Sequence, residues 1–304
     1  MGRAPTSRET EARNAQVLRV AGPSATVRTA DGVVELRVLP QIEERPVVGD
    51  YVRLRDPDQP DAMIVEVLPR VTELLRGGGR EGEVRTVVAN SDLLLVVAAV
   101  VDPPLRPRLI DRYLVAGHYG GLRPAIVLTK LDLAHDPDDV ATFIAEYREI
   151  GYPVLAGVGS DPALSREITE LVGDGLATLA GHSGVGKSTI TRVLTGVDRQ
   201  VGAVSEKVGK GRHTTSDPRL IPLIGGRGAI VDTAGVRTFF LPPLDGRDLE
   251  AGFPEIARQS PNCRFRGCRH NGEAGCSVAG VVSAERLDSY RRLLATSTGS
   301  GSKP

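Results

Sequence analysis

Residues 181–188 read G-H-S-G-V-G-K-S, a spelling that suits a loop built to hold a phosphate. Glycines at 181, 184 and 186 let successive backbone N–H groups turn inward with no Cβ in the way. The helix that follows offers its N-terminal dipole to the same anion. Lys187 is placed to reach the β- and γ-phosphates and Ser188 to ligate Mg²⁺, with Ser183, Val185 and Thr189 completing the loop and its first helical turn. A nucleoside triphosphate is the expected ligand.

Two further segments supply what a hydrolytic site needs. Residues 229–235 read A-I-V-D-T-A-G, a strand ending in D-x-x-G, where Asp232 meets Mg²⁺ through water and the Gly235 N–H senses a γ-phosphate. Residues 209–215 are glycine-rich and basic, and Thr214 or Thr215 is the candidate switch threonine that completes the Mg²⁺ shell. Val236 stands where Ras-like enzymes keep a water-orienting glutamine. A valine cannot hold water, so slow intrinsic turnover is expected, and His213 is the internal candidate for orienting the attacking water.

The base is addressed by residues 129–132, T-K-L-D, which close a strand well before the phosphate loop. They resemble the N-K-x-D element of GTPases: the Asp132 carboxylate accepts from the guanine N1–H and amine while the Lys130 stem packs along the ring. Adenine presents no such donor pair, so GTP is favoured over ATP. Thr129 replaces the usual asparagine.

Near the other end, Cys263, Cys268, His270 and Cys276 gather every cysteine of the chain with one histidine. Three thiolates and an imidazole form a closed tetrahedral set for a structural Zn²⁺. Arg258, Arg264, Arg266 and Arg269 surround them with no acidic residue over positions 256–272, a local candidate for RNA contact in a chain whose net charge is +0.

The elements that must position these groups fall into three blocks. Five short runs, at 17–20, 25–29, 33–39, 50–54 and 62–68, are spaced by turn signals like a small OB-fold barrel. After a glycine-rich joint at 76–80 the pattern alternates: strands at 93–101, 125–129, 154–155, 176–180, 220–224 and 229–231, helices at 108–116, 138–150, 162–172 and 188–194. Such alternation predicts a mainly parallel sheet covered on both faces. A final helix over 283–294 packs back before a Ser/Gly tail. The expected class is multi-domain α/β: residues 1–75 a tail and barrel, 76–243 a P-loop domain, 244–304 a zinc-binding domain with its helix.

At 304 residues with 40% hydrophobic and 25% charged content, the composition is that of a globular protein. No apolar run approaches the ~18 residues of a membrane span, and the N-terminus lacks a signal core, so the cytoplasm is the expected location. Three cysteines fit a reduced compartment.

Motif order is the distinctive feature. The base reader precedes the phosphate loop, whereas most GTPases begin with that loop. This circular permutation, set between a small barrel and a Cys/His-rich tail, resembles the ribosome small-subunit-dependent GTPase A (RsgA) family over about residues 17–290. The resemblance implies an enzyme that hydrolyses GTP to GDP, binds the 30S subunit and its 16S rRNA late in maturation, and is stimulated by that particle. It carries over to Lys130 and Asp132 for the base, 181–188 for the phosphates, Thr214 and Thr215 for the switch, and Asp232 and Gly235 for the γ-phosphate. Ala234 departs from the family's proline, and the second base-contacting loop, expected at 156–160, is degenerate. A monomer with no membrane partner is expected. The residues leave two other readings open: an RNA-binding module with incidental turnover, and an ATP-dependent small-molecule kinase.

Overall fold

The computed structural model describes residues 15–57, 59–77, 84–198, 218–233, 241 and 244–298. Five strands form the N-terminal barrel: β1 (Ala15–Ala21), β2 (Ser24–Thr29), β3 (Gly32–Val38), β4 (Tyr51–Arg55) and β5 (Met63–Val67). Pairing runs antiparallel through β1–β2, β2–β3, β4–β5 and β1–β4, and a parallel β3–β5 contact closes the cylinder. Period-two alternation decides which side chains fill it: Val17, Val27, Val52 and Ile64 point inward and are fully buried. This is the OB-type barrel expected from the run spacing.

Of the joint expected at 76–80, residues 78–80 lie outside the described residues and the first two are in a strand. Arg76 and Gly77 end strand β6 (Glu73–Gly77), which pairs antiparallel with β7 (Val84–Ala89), a strand the sequence pattern does not disclose. Leu74 and Val88 on this hairpin are fully buried and belong to the core of the following α/β layer, so apolar burial overrides the glycine signal. Arg70 fixes the barrel to the hairpin. Its guanidinium is buried, with Nε on Asp50 Oδ1 (2.7 Å) and Nη1 donating to Thr86 Oγ1 (3.0 Å), and it also pairs with Glu44.

The central sheet takes the order β10-β9-β8-β11-β13-β12, with β8 (Leu93–Ala99), β9 (Arg123–Thr129), β10 (Val154–Ala156), β11 (Leu176–Ala180), β12 (Arg219–Pro222) and β13 (Ala229–Asp232). Only the β12–β13 pairing is antiparallel. All seven residues of β8 are buried, and they divide by parity. Leu94, Val96 and Ala98 face α1 (Pro107–Tyr119) and α2 (Pro137–Ile150); Leu93, Leu95, Val97 and Ala99 face α3 (Pro162–Val172) and α4 (Lys187–Thr195). Helices α2 and α3 begin with the same device, a proline at the first turn behind an aspartate, Asp136 or Asp161, whose carboxylate accepts backbone N–H groups. One bridge, Arg19 to Arg219, joins β1 of the barrel to β12.

The C-terminal segment contains two short helices that the sequence pattern does not reveal, α5 (Gly246–Ala251) and α6 (Pro254–Gln259), and ends in α7 (Ala284–Thr298). A capping box between Asp245 and Asp248 starts α5. Helix α7 is pinned by Arg286, which is 2% exposed. It pairs with the buried Asp111 of α1, donates from Nε to Glu255 Oε1 (2.7 Å) and lies 4.2 Å over the Phe253 ring. Tyr147 of α2 donates to the same Asp111 at 2.5 Å, and burial, reinforced by that carboxylate, pushes its phenol well above the usual range. Three helices thus meet at one carboxylate.

Candidate nucleotide site and metal centre

Strand β11 delivers the chain into the phosphate loop at Gly181 (φ +149°), where a Cβ would sit 2.2 Å from the Val97 carbonyl oxygen. Gly184 (φ +84°) and Gly186 (φ +92°) then take left-handed conformations closed to most side chains. Lys187 opens α4, and its ammonium bends back across the loop to the carbonyls of Gly181 (2.6 Å) and His182 (2.7 Å). Burial pulls that ammonium below the usual lysine range, and the Asp232 carboxylate opposes the shift. Ser188 is exposed in the first turn of α4, Thr189 half-buried and Val185 buried.

Asp232 ends β13, level with Leu179 of β11, and is 1% exposed. Thr233 donates to the Leu179 carbonyl at 2.6 Å, holding the strand end against the root of the loop. Phosphate loop, lysine and acidic strand end therefore share one rim of the sheet. His213, Thr214, Thr215 and Gly235 lie outside the described residues, as do Ala234 and Val236.

The base-reading segment occupies the same rim from the other side. Buried Thr129 donates from Oγ1 to the Val185 carbonyl at 2.8 Å, tying β9 to the phosphate loop. Where the missing asparagine left a contact open, the threonine hydroxyl makes one. Lys130 is left-handed (φ +59°) and its Nζ donates to the Asp102 carbonyl. Asp132 sits exposed in the short 3₁₀ turn Leu131–Leu133. The Leu131 N–H donates to Gly157 (3.4 Å), and Gly157 donates to Leu128 (3.0 Å), so residues 156–160 run beside the base reader although their sequence carries no base-contacting motif.

The cysteine and histidine set converges as expected. Its four donor atoms lie within 4.8 Å of one another, with His270 Nδ1 at 3.7 Å from Cys263 Sγ and 3.5 Å from Cys276 Sγ. A tetrahedral zinc with Zn–S near 2.3 Å has ligand-to-ligand edges of about 3.8 Å, so the donors fit such an ion. An outer partner carries no sequence signal: fully buried His270 directs Nε2 at Glu250 Oε1 (3.3 Å) of α5, which fixes Nδ1 as the ligating nitrogen. The Ser277 N–H points at Cys263 Sγ at 3.4 Å. The surrounding Arg258, Arg264, Arg266 and Arg269 are all exposed, and Arg258 also donates to the Ile150 carbonyl at 3.1 Å.

Residues 67–242, which carry both halves of this nucleotide rim, match the family model described as RsgA GTPase. The chain belongs to the RsgA GTPase family. A relative in Ectopseudomonas mendocina, named small ribosomal subunit biogenesis GTPase RsgA, is 40% identical over 82% of this chain and 74% of its own. One of the same name in Azotobacter vinelandii is 39% identical over the same shares. Among solved structures, YloQ, described as a circularly permuted GTPase, superposes with a TM-score of 0.73 at 24% identity, covering 95% of this chain and 96% of that one. YjeQ from Thermotoga maritima gives 0.70 at 23%, covering 94% and 99%. Both share the fold of this RsgA-family chain. Among the described residues, no helix is long and apolar enough to cross a membrane.

Proposed function

We propose that this chain hydrolyses GTP to GDP and phosphate as a factor in late maturation of the small ribosomal subunit, its turnover stimulated by the 30S particle. The observation that carries the reading is the Thr129–Val185 bond, which brings the base-reading strand and the phosphate loop together as one site. The relatives' name supplies the particle.

In this reading the loop N–H groups and Lys187 hold the β- and γ-phosphates, Asp132 and Lys130 select guanine, and Ser188 with Asp232 hold Mg²⁺. When bound, that ion neutralises charge between the β- and γ-oxygens. Thr214, Thr215 and Gly235 sense the γ-phosphate, and His213 orients water. Cys263, Cys268, His270 and Cys276 hold a structural Zn²⁺. The chain works as a cytoplasmic monomer in three blocks, 1–75, 76–243 and 244–304, with Arg264, Arg266 and Arg269 set against 16S rRNA.

The deciding experiment is GTP turnover titrated with purified 30S subunits, with ATP as competitor. Saturable stimulation and no competition by ATP are expected; a flat titration or preference for ATP refutes the reading. His213→Ala should keep GTP affinity and lose stimulated kcat by about 10²-fold, and an unchanged kcat removes His213 from the mechanism.

A further inference from the structure

Beside the metal-ligand cluster lies a cavity of about 570 Å³, within the size range of sites for small organic ligands. Tyr290 (1% exposed) and Leu294 (5%) of α7 form its buried aromatic and aliphatic side, next to Cys263 and Cys268 of the metal-ligand set. Its open rim carries Phe265, 53% exposed, and the guanidiniums of Arg247, Arg266 and Arg269. None of those three guanidiniums pairs with a described carboxylate, in contrast to surface arginines such as Arg227 and Arg292. Two carboxylates also line the cavity, and both are occupied. Asp245 accepts the N–H groups of Arg247 (2.8 Å) and Asp248 (2.9 Å), and Glu250 faces His270.

We infer that this cavity receives an unpaired base of single-stranded RNA, stacked on Phe265, with the flanking phosphates held by Arg247, Arg266 and Arg269. The inference rests on the reading of the chain as a ribosomal-subunit factor and adds the chemistry of one contact. Phe265 is the one aromatic ring at this cavity that is mostly exposed, and the Arg264 guanidinium lies 5.3 Å from its ring centre. Splayed bases stack on such platforms regardless of sequence, while a duplex keeps its bases paired and stacked out of reach. Guanidiniums without carboxylate partners around an aromatic platform match a phosphate–base–phosphate stretch.

The test uses the full-length, zinc-loaded protein and a short single-stranded RNA carrying 2-aminopurine. Binding should quench the probe, and Phe265→Ala should weaken affinity by about tenfold with unchanged zinc content and unchanged GTP turnover in the absence of 30S. Because the chain contains no tryptophan, Phe265→Trp both preserves the platform and reports its own stacking as fluorescence quenched by RNA. The double variant Arg266→Ala/Arg269→Ala should flatten the salt dependence of log K by about 1.4, near 0.7 for each phosphate no longer neutralised. Equal affinity for the matching duplex, or unaltered binding by Phe265→Ala, overturns the inference. Stimulation of the wild type by 30S, measured alongside, separates the two levels: its absence sinks the proposed function, whereas stimulation without quenching sinks the base pocket alone.

Discussion

Two single residues carry more than their motifs announce. The Thr129 hydroxyl is the only described side-chain partner of the Val185 carbonyl, at 2.8 Å in a buried setting. Thr129→Val keeps the shape and strands that oxygen, so a loss of about 1–3 kcal/mol is expected in urea unfolding, together with weaker GDP binding. Thr129→Ser should recover both, and equal stability of valine and threonine forms would show the bond to be idle. Glu250 is the second such residue. Glu250→Ala frees the His270 ring, and zinc affinity in a chelator competition should fall by about 10–100-fold. Neither role is legible in the sequence, for a shared reason. Thr129 looks like a departure from N-K-x-D because spelling records the side chain and not what it can reach. Glu250 lies 20 positions from His270, inside a helix that no periodicity discloses.

At the scale of elements, parity and capping explain what can be read. Strand β8 is a continuous apolar run because both of its faces are covered, and Asp136-Pro137 and Asp161-Pro162 punctuate their helices in plain view. The hairpin β6–β7 is hidden by its own glycines, and α5 and α6 are too short, at six residues each, for helical periodicity to register. The docking of α7 is hidden for another reason: it depends on Arg286, a charged residue in a buried place. Arg286→Met leaves the Asp111 carboxylate without its guanidinium, and a cost of about 3–5 kcal/mol is expected in thermal unfolding. The double variant Asp111→Leu/Arg286→Met should regain most of it. If the double is as unstable as the single, ion pairing is not what holds α7.

Across the whole molecule, barrel and P-loop domain meet at the Arg19–Arg219 bridge, at Val48 and Gly49 against Val88–Asn90, and at the buried Arg70 cluster. Burial pushes the Asp50 carboxyl above its ordinary value of 3.8 while Arg70 draws it down. In Arg70→Met the downward pull is gone and the folded-state value climbs further. A carboxyl whose folded value is raised contributes stability below its unfolded value and loses it as pH rises through the folded one. The deficit of Arg70→Met should therefore be smallest near pH 4 and grow toward pH 7, measured as urea midpoints across that range. A deficit independent of pH would assign the loss to packing alone. The three-block organisation is visible in composition and run spacing, but these junctions are not, since they pair residues far apart in the chain.

The buried ion pair of Asp111 and Arg286 likewise joins residues 175 positions apart. During synthesis the carboxylate leaves the ribosome long before its guanidinium has been made. Until Arg286 has been made, the Asp111 carboxylate has no guanidinium to meet, so a copy terminated before Arg286 should carry an uncompensated interior charge and be cleaved faster in limited proteolysis than the wild type.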